Sequence, residues 1–216
     1  MKKILLYYNT LKFLKYTQIL GRLKILLIKP KFKKFFFKKE LKNFSSKDYV
    51  PFLPNDQKID FNKNEIVFLD QKSVLRANSK KFWTEEKFSK LWMYNLHYFD
   101  DLLRKDFLKN KINHLNLIKA WISHDFEKSD TALDPYPLSL RIVNWIKWLK
   151  ETGTQNDTIL DSLFTQSYFL LKKIEWHLLG NHLFENAKAL FISGLFFEDK
   201  TLLKKGFQIL KKQIPE

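Results

Sequence analysis

Apolar positions recur at helical spacing through most of the chain. Leu138, Ile142, Ile146 and Leu149 form one such stripe, and Asp134-Pro135-Tyr136-Pro137 launches the helix that carries it. Leu163, Leu170, Leu171, Ile174 and Leu178 predict a second helix over Asp161–Leu178, with His177 on its apolar side as a core histidine. Gly180 then reads as a C-terminal cap and Asn181 as the N-cap of the next helix, whose inward face is Leu183, Ala187, Leu190 and Phe191. Asp199 is the expected cap of a last helix with Leu202, Leu203, Phe207 and Leu210 apolar. Near the start, Leu11, Leu14, Ile19, Leu20 and Leu23 predict an amphipathic helix, and KPKFKKFFFKKELK (Lys29–Lys42) a basic helix docked by its Phe side. Residues 43–80 break the pattern. Pro51 and Pro54 mark a loop, and IDF (59–61) with IVF (66–68) suggest short strands around NKNE. The fold expected is all-α, with residues 1–80 an arm and linker and 81–216 a packed helical domain.

Composition adds limits. At 216 residues the chain has room for one ordinary domain, and its 45% hydrophobic and 16% aromatic content supplies a core for it. The absence of cysteine excludes disulfides and thiolate zinc sites. Formal net charge is +16, and residues 1–43, with 13 Lys+Arg against Glu40, carry +12 of it. Such an arm suits an anionic partner, whether an acidic polysaccharide, a lipid surface or nucleic acid, and its plainer reading is a solvated Lys-rich face. Docking is the preferred reading of its Phe residues over base stacking, so no specific nucleic acid is expected. No uninterrupted apolar run reaches the ~18 residues of a membrane span. MKKILLYY is interrupted early by Asn9 and Lys12 and lacks a cleavage site, which places the chain in the cytoplasm on sequence alone.

Three polar clusters are the candidate chemistry. From His182, Glu185 and Asn186 lie at i+3 and i+4, and with Asn181 they set polar groups at a helix start, beside small Ala189 and Ser193. Tyr94, Asn95, His97 and Tyr98 combine rings with hydrogen-bonding groups, as a sugar subsite would. Arg141, Asn144 and Trp148 fall on a different face from the core stripe, where Arg141 would suit a carboxylate. Each has a plainer reading: a cap and dipole partner, a buried aromatic helix, and a structural Arg with an acidic partner.

LWMYNLHYFDDLL (91–103), PYPLSLRIVNWIKWL (135–149) and GNHLFENAKAL (180–190) resemble, in that order, the N-terminal domain of heparinase II/III-like polysaccharide lyases. The resemblance implies a partial (α/α) toroid of antiparallel hairpins and β-elimination on a uronic-acid polysaccharide, in the cell envelope or periplasm. It assigns carboxylate neutralisation and proton handling to Asn181 and His182, with Glu185 supporting His182. Tyr94, Asn95, His97, Tyr98, Arg141, Trp148 and Asn186 become substrate-binding residues. No cofactor or metal is implied. The family's catalytic tyrosine and second histidine come from later helices, so this chain alone is expected to be inactive. The alternative is a non-catalytic helical module that binds an anionic polysaccharide or membrane surface.

Overall fold

The structure, a computed structural model, describes residues 9, 12–27, 30–37, 58–79, 81–104, 107–124, 126 and 131–214. The first residues of the arm, the end of its basic run and the loop with Pro51 and Pro54 lie outside these. The chain is mostly helical. The described residues form α1 (Tyr16–Leu27), α2 (Lys90–Tyr98), α3 (Lys111–Ile122), α4 (Pro135–Thr152), α5 (Asp157–Lys172), α6 (Gly180–Phe196) and α7 (Lys200–Gln213). Short 3₁₀ turns occupy Phe82–Thr84 and Asp100–Leu103. None of the described helices is long and apolar enough to cross a membrane.

Helix α4 is the axis of the body. Twelve of its residues are buried because α2, α5, α6 and the Asp100–Leu103 turn pack around it, and the face of Tyr136, Leu140 and Lys147 is left half-exposed. The predicted stripe of Leu138, Ile142, Ile146 and Leu149 is buried as expected. Gly153, in the left-handed conformation, ends the helix. Helices α6 and α7 form the most extensive pair, an antiparallel hairpin turned at Phe197–Asp199. Asp199 caps α7 by accepting from the Thr201 and Leu202 amides, each at 2.9 Å. Two glycines let the pair close up. A β-carbon on Gly194 would meet Leu203, and one on Gly206 would lie 2.8 Å from the Ala187 carbonyl oxygen.

Strands β1 (Ile59–Asp60), β2 (Glu65–Phe68) and β3 (Gln71–Val74) make an antiparallel sheet in that order. It is fixed to the helices by buried polar contacts. Asp101 Oδ1 accepts from the Lys58 and Ile59 amides at 3.2 and 3.3 Å. The Trp92 indole donates to Gln71 O, and Trp83 to Ala77 O.

Three expectations need correction. The Phe-rich run is docked, but residues 30–37 are extended, not helical. Thr165 Oγ accepts from Phe35 N at 2.8 Å and Asp161 Oδ1 from Phe37 N at 2.7 Å, so α5 side chains satisfy the backbone that a helix would have paired internally. Phe32 packs edge-on to Phe169, and Phe37 lies against Phe164 and Phe197. The second correction concerns α5, which starts earlier and stops at Lys172, so Leu178 is exposed and His177 is a half-exposed turn residue. Third, Phe207 faces outward on α7, where Ile209 and Gly206 are buried instead.

Candidate functional site

The segment Lys173–Leu179 joins α5 to α6 and reverses direction through a turn at Trp176–Leu178. Gly180 is therefore the first residue of α6 and not a cap on α5. Both residues at the junction have positive φ: Leu179 at φ 61, ψ −161 and Gly180 at φ 53. Leu179 occupies a region that side chains rarely enter, and strain of this kind concentrates at functional sites. Asn181, the next residue, is exposed in the first helical turn and its side chain does not cap the helix.

His182 is 38% exposed and bonds through Nδ1 to Glu175 Oε2 at 3.2 Å. Whenever Glu175 is a carboxylate, Nδ1 is the nitrogen that donates to it and Nε2 is the one turned away from that bond. Glu175, not Glu185, is the carboxylate on His182. It is buried, and its carboxyl pKa is raised, chiefly by desolvation, while His182 and Asn186 act to hold it down. Glu185 instead pairs with Lys188 at 2.6 Å. The reason is positional: Glu185 is carried past the ring along α6, whereas the returning turn brings Glu175 back to it.

Asn186 is fully buried and joins three segments. Its Oδ1 accepts from Glu175 N at 2.9 Å, and its Nδ2 donates to Glu175 Oε2 at 3.2 Å and to Ser139 Oγ at 3.1 Å. Ser139 Oγ in turn donates to Pro135 O at 2.7 Å. This side chain holds the site together and is out of reach of a ligand. Ala189 and Ser193 are buried too, with Ser193 bonded to Ser167 of α5 at 2.9 Å, so that face of α6 is a helix interface.

The network anchors the start of α4, and with it Tyr136. The Tyr136 ring lies 4.6 Å from that of His182, Tyr98 lies 6.1 Å from Tyr136, and Tyr94 6.4 Å from Tyr98. Four partly exposed rings thus form a row across α2, α4 and α6. Tyr94 donates to Asp134 Oδ2 at 2.5 Å, and Lys90 reaches the same oxygen at 2.9 Å. Burial is the leading cause of a raised pKa in Tyr94, Tyr98 and Tyr136, with nearby carboxylates adding to it. All three are protonated near neutral pH. Tyr136 was not singled out by spacing, although it sits in the quoted PYPLSLR stretch.

Other predicted residues are placed elsewhere. Arg141 is fully buried. It donates to Gln166 Oε1, His97 O and Ala132 O, and it stacks 4.1 Å over Trp121. Desolvation lowers its pKa. It cannot touch a sugar carboxylate. Trp148 is equally buried. His97 is enclosed between Trp83 O at 3.1 Å and the Trp121 indole at 3.2 Å, and burial holds it neutral. Asn144 donates to Tyr98 O and Asp100, so it supports the tyrosine row from beneath. Asn95 bonds back to Leu91 O within its own helix. A cleft of about 490 Å³ lies elsewhere, between the sheet end and α3, where Phe61, Arg76 and Asn113 line it.

No group of three or more metal-ligating side chains occurs among the described residues. No family model, curated protein or solved structure matches the chain.

Proposed function

We propose that the chain is the helical portion of a polysaccharide lyase that acts on uronic-acid polymers by β-elimination, its helices forming part of an (α/α) toroid. The observation that carries the reading is the Glu175–His182–Tyr136 contact series. β-Elimination removes the proton beside the sugar carboxylate and expels the glycosidic oxygen. It therefore needs a base, an acid and a group that neutralises the carboxylate. His182 Nε2, with Nδ1 tied to Glu175, is suited to take the proton. Tyr136, protonated and against the same ring, is suited to protonate the leaving oxygen. The exposed Asn181 amide, at the positive end of α6, is suited to the carboxylate. Tyr94 and Tyr98 offer ring faces to neighbouring sugars.

The test is turnover of oligouronates by the chain, or by a longer protein containing it, read as ultraviolet absorbance of the unsaturated product. His182→Ala and Tyr136→Phe should each lower turnover on the order of 10²–10⁴-fold with an unchanged circular dichroism spectrum. Full turnover in both variants would sink the assignment. Oligouronate binding without any turnover would favour the non-catalytic module.

A further inference from the structure

Helix α1 touches the body by one narrow face. Gly21 lies so close to the Trp176–His177 backbone that a β-carbon would come within 2.7 Å of His177 N, and Gln18 Nε2 donates to His177 O at 3.3 Å. At 100° per residue, Tyr16, Leu20, Leu23 and Leu27 fall within an arc of about 60° on the far side from Gln18 and Gly21. All four are exposed, Leu27 at 82%, Tyr16 at 73%, Leu23 at 49% and Leu20 at 46%, and Phe13, just ahead of the helix, is exposed at 79%. Exposed Lys15 and Lys24 stand on either side of the stripe, and Arg22 lies nearer the body, close enough to His177 for its charge to act there. Residues 12–37 contain eight Lys and Arg and no acid.

We propose that α1 is an interfacial helix that seats this stripe in the surface of a bilayer containing anionic lipid. An apolar stripe edged by basic residues is the pattern of a helix lying in the headgroup plane, and lipid charge adds attraction at each basic side chain. The charge also disfavours a second copy as the occupant. Pairing two such stripes would set Lys24 near its equivalent with no acid in residues 12–37 to offset it. Twelve residues span ~18 Å, too short to cross a bilayer, so the helix lies on the surface. The turn that α1 rests on leads directly through Leu179 into α6, so the docked face of the helix lies one turn away from His182.

The experiment is co-sedimentation of the whole chain with vesicles of phosphatidylcholine alone and of phosphatidylcholine mixed with phosphatidylglycerol. Binding is expected only to the mixed vesicles, and it should weaken as salt rises. Leu23→Gln and Leu27→Gln should each weaken it roughly tenfold, and Lys24→Gln roughly fivefold, with native circular dichroism since these side chains are exposed. Absence of vesicle binding, equal binding to both vesicle types, or unchanged binding by the leucine variants would overturn the proposal. A dimer lost in Leu23→Gln, without vesicle binding, would assign the stripe to a second copy instead. None of these outcomes depends on lyase activity.

Discussion

Gly206→Ala is the sharpest test of the fold because the expected sign reverses between an open helix and a close crossing. In an exposed helix interior, replacing Gly with Ala gains about 1 kcal/mol. In α7 the new β-carbon would lie 2.7 Å from Phe191 Cα and 2.8 Å from Ala187 O, both backbone atoms of α6. Backbone cannot swing aside as the tip of a side chain does, so the two helices must separate. Overpacking costs about 1–3 kcal/mol, and contacts this short place the cost at the upper end. After the propensity gain, a net loss of about 2 kcal/mol remains, which for a chain of this size lowers Tm by about 4–8 °C. Gly194→Ala should shift in the same direction, since its β-carbon would come within 2.7 Å of Leu203 Cβ. Gly153→Ala is the control. It has open space but φ +60, so only a conformational cost of about 1 kcal/mol applies. Thermal melts followed by far-ultraviolet circular dichroism decide the matter. A Gly206→Ala variant more stable than the parent would show that α6 and α7 do not meet as described.

Two further outcomes follow from buried polar groups. Tyr94, Tyr98, Tyr136 and Tyr168 all have raised pKa values, Tyr168 up to about 12 through burial and its hydrogen bond to Asp199. A raised folded pKa contributes stability that is intact below the ordinary tyrosine value of 10.0 and lost as pH rises through the folded value. Urea midpoints should therefore fall steadily above about pH 10, and simultaneous ionisation of every phenol in a still-native chain would contradict the described burial. Arg141→Lys should cost on the order of 3 kcal/mol, because one ammonium cannot replace three guanidinium bonds and the stack on Trp121. Binding of anionic oligosaccharide by the folded fraction should be unaffected, and the opposite result, intact stability with lost binding, would restore Arg141 to a ligand surface.

Helices and the small sheet were legible in the sequence because their signals are local. The Leu138–Leu149 stripe and the Asp199 cap each involve residues a turn apart, and both occur as read. The extended segment at residues 30–37 was not legible for the opposite reason. Its amides are satisfied by Thr165 and Asp161, 130 and 124 residues away in sequence, and no local pattern reveals such partners. Periodicity also misjudged depth. It placed Arg141 and Trp148 on a separate face, but α4 is covered on every side except the half-exposed one of Tyr136, Leu140 and Lys147, so the face of Arg141 and Trp148 is buried as well. Leu20 and Leu23 belong to the apolar pattern that predicts an amphipathic helix, yet they are exposed, because only a narrow strip of α1 at Gly21 touches the body.

At the site, helical spacing led from His182 to Glu185, the nearest acid on the same face, and missed Glu175. The structure reverses that choice because Glu175 lies before the Leu179–Gly180 break, where a helical wheel no longer applies. The chain must reverse there to bring a carboxylate seven residues back onto the ring, and Leu179 at φ 61 is where that reversal is concentrated. Asn186 then fixes the returned segment by bonding both the Glu175 amide and its carboxylate, and it reaches Ser139 at the start of α4. The His182–Tyr136 separation is therefore set by a buried amide and not by either helix alone. Under the proposed lyase reading the chemistry falls on a pair of side chains from different helices, and Asn186, which no ligand can touch, is the residue on which their alignment depends.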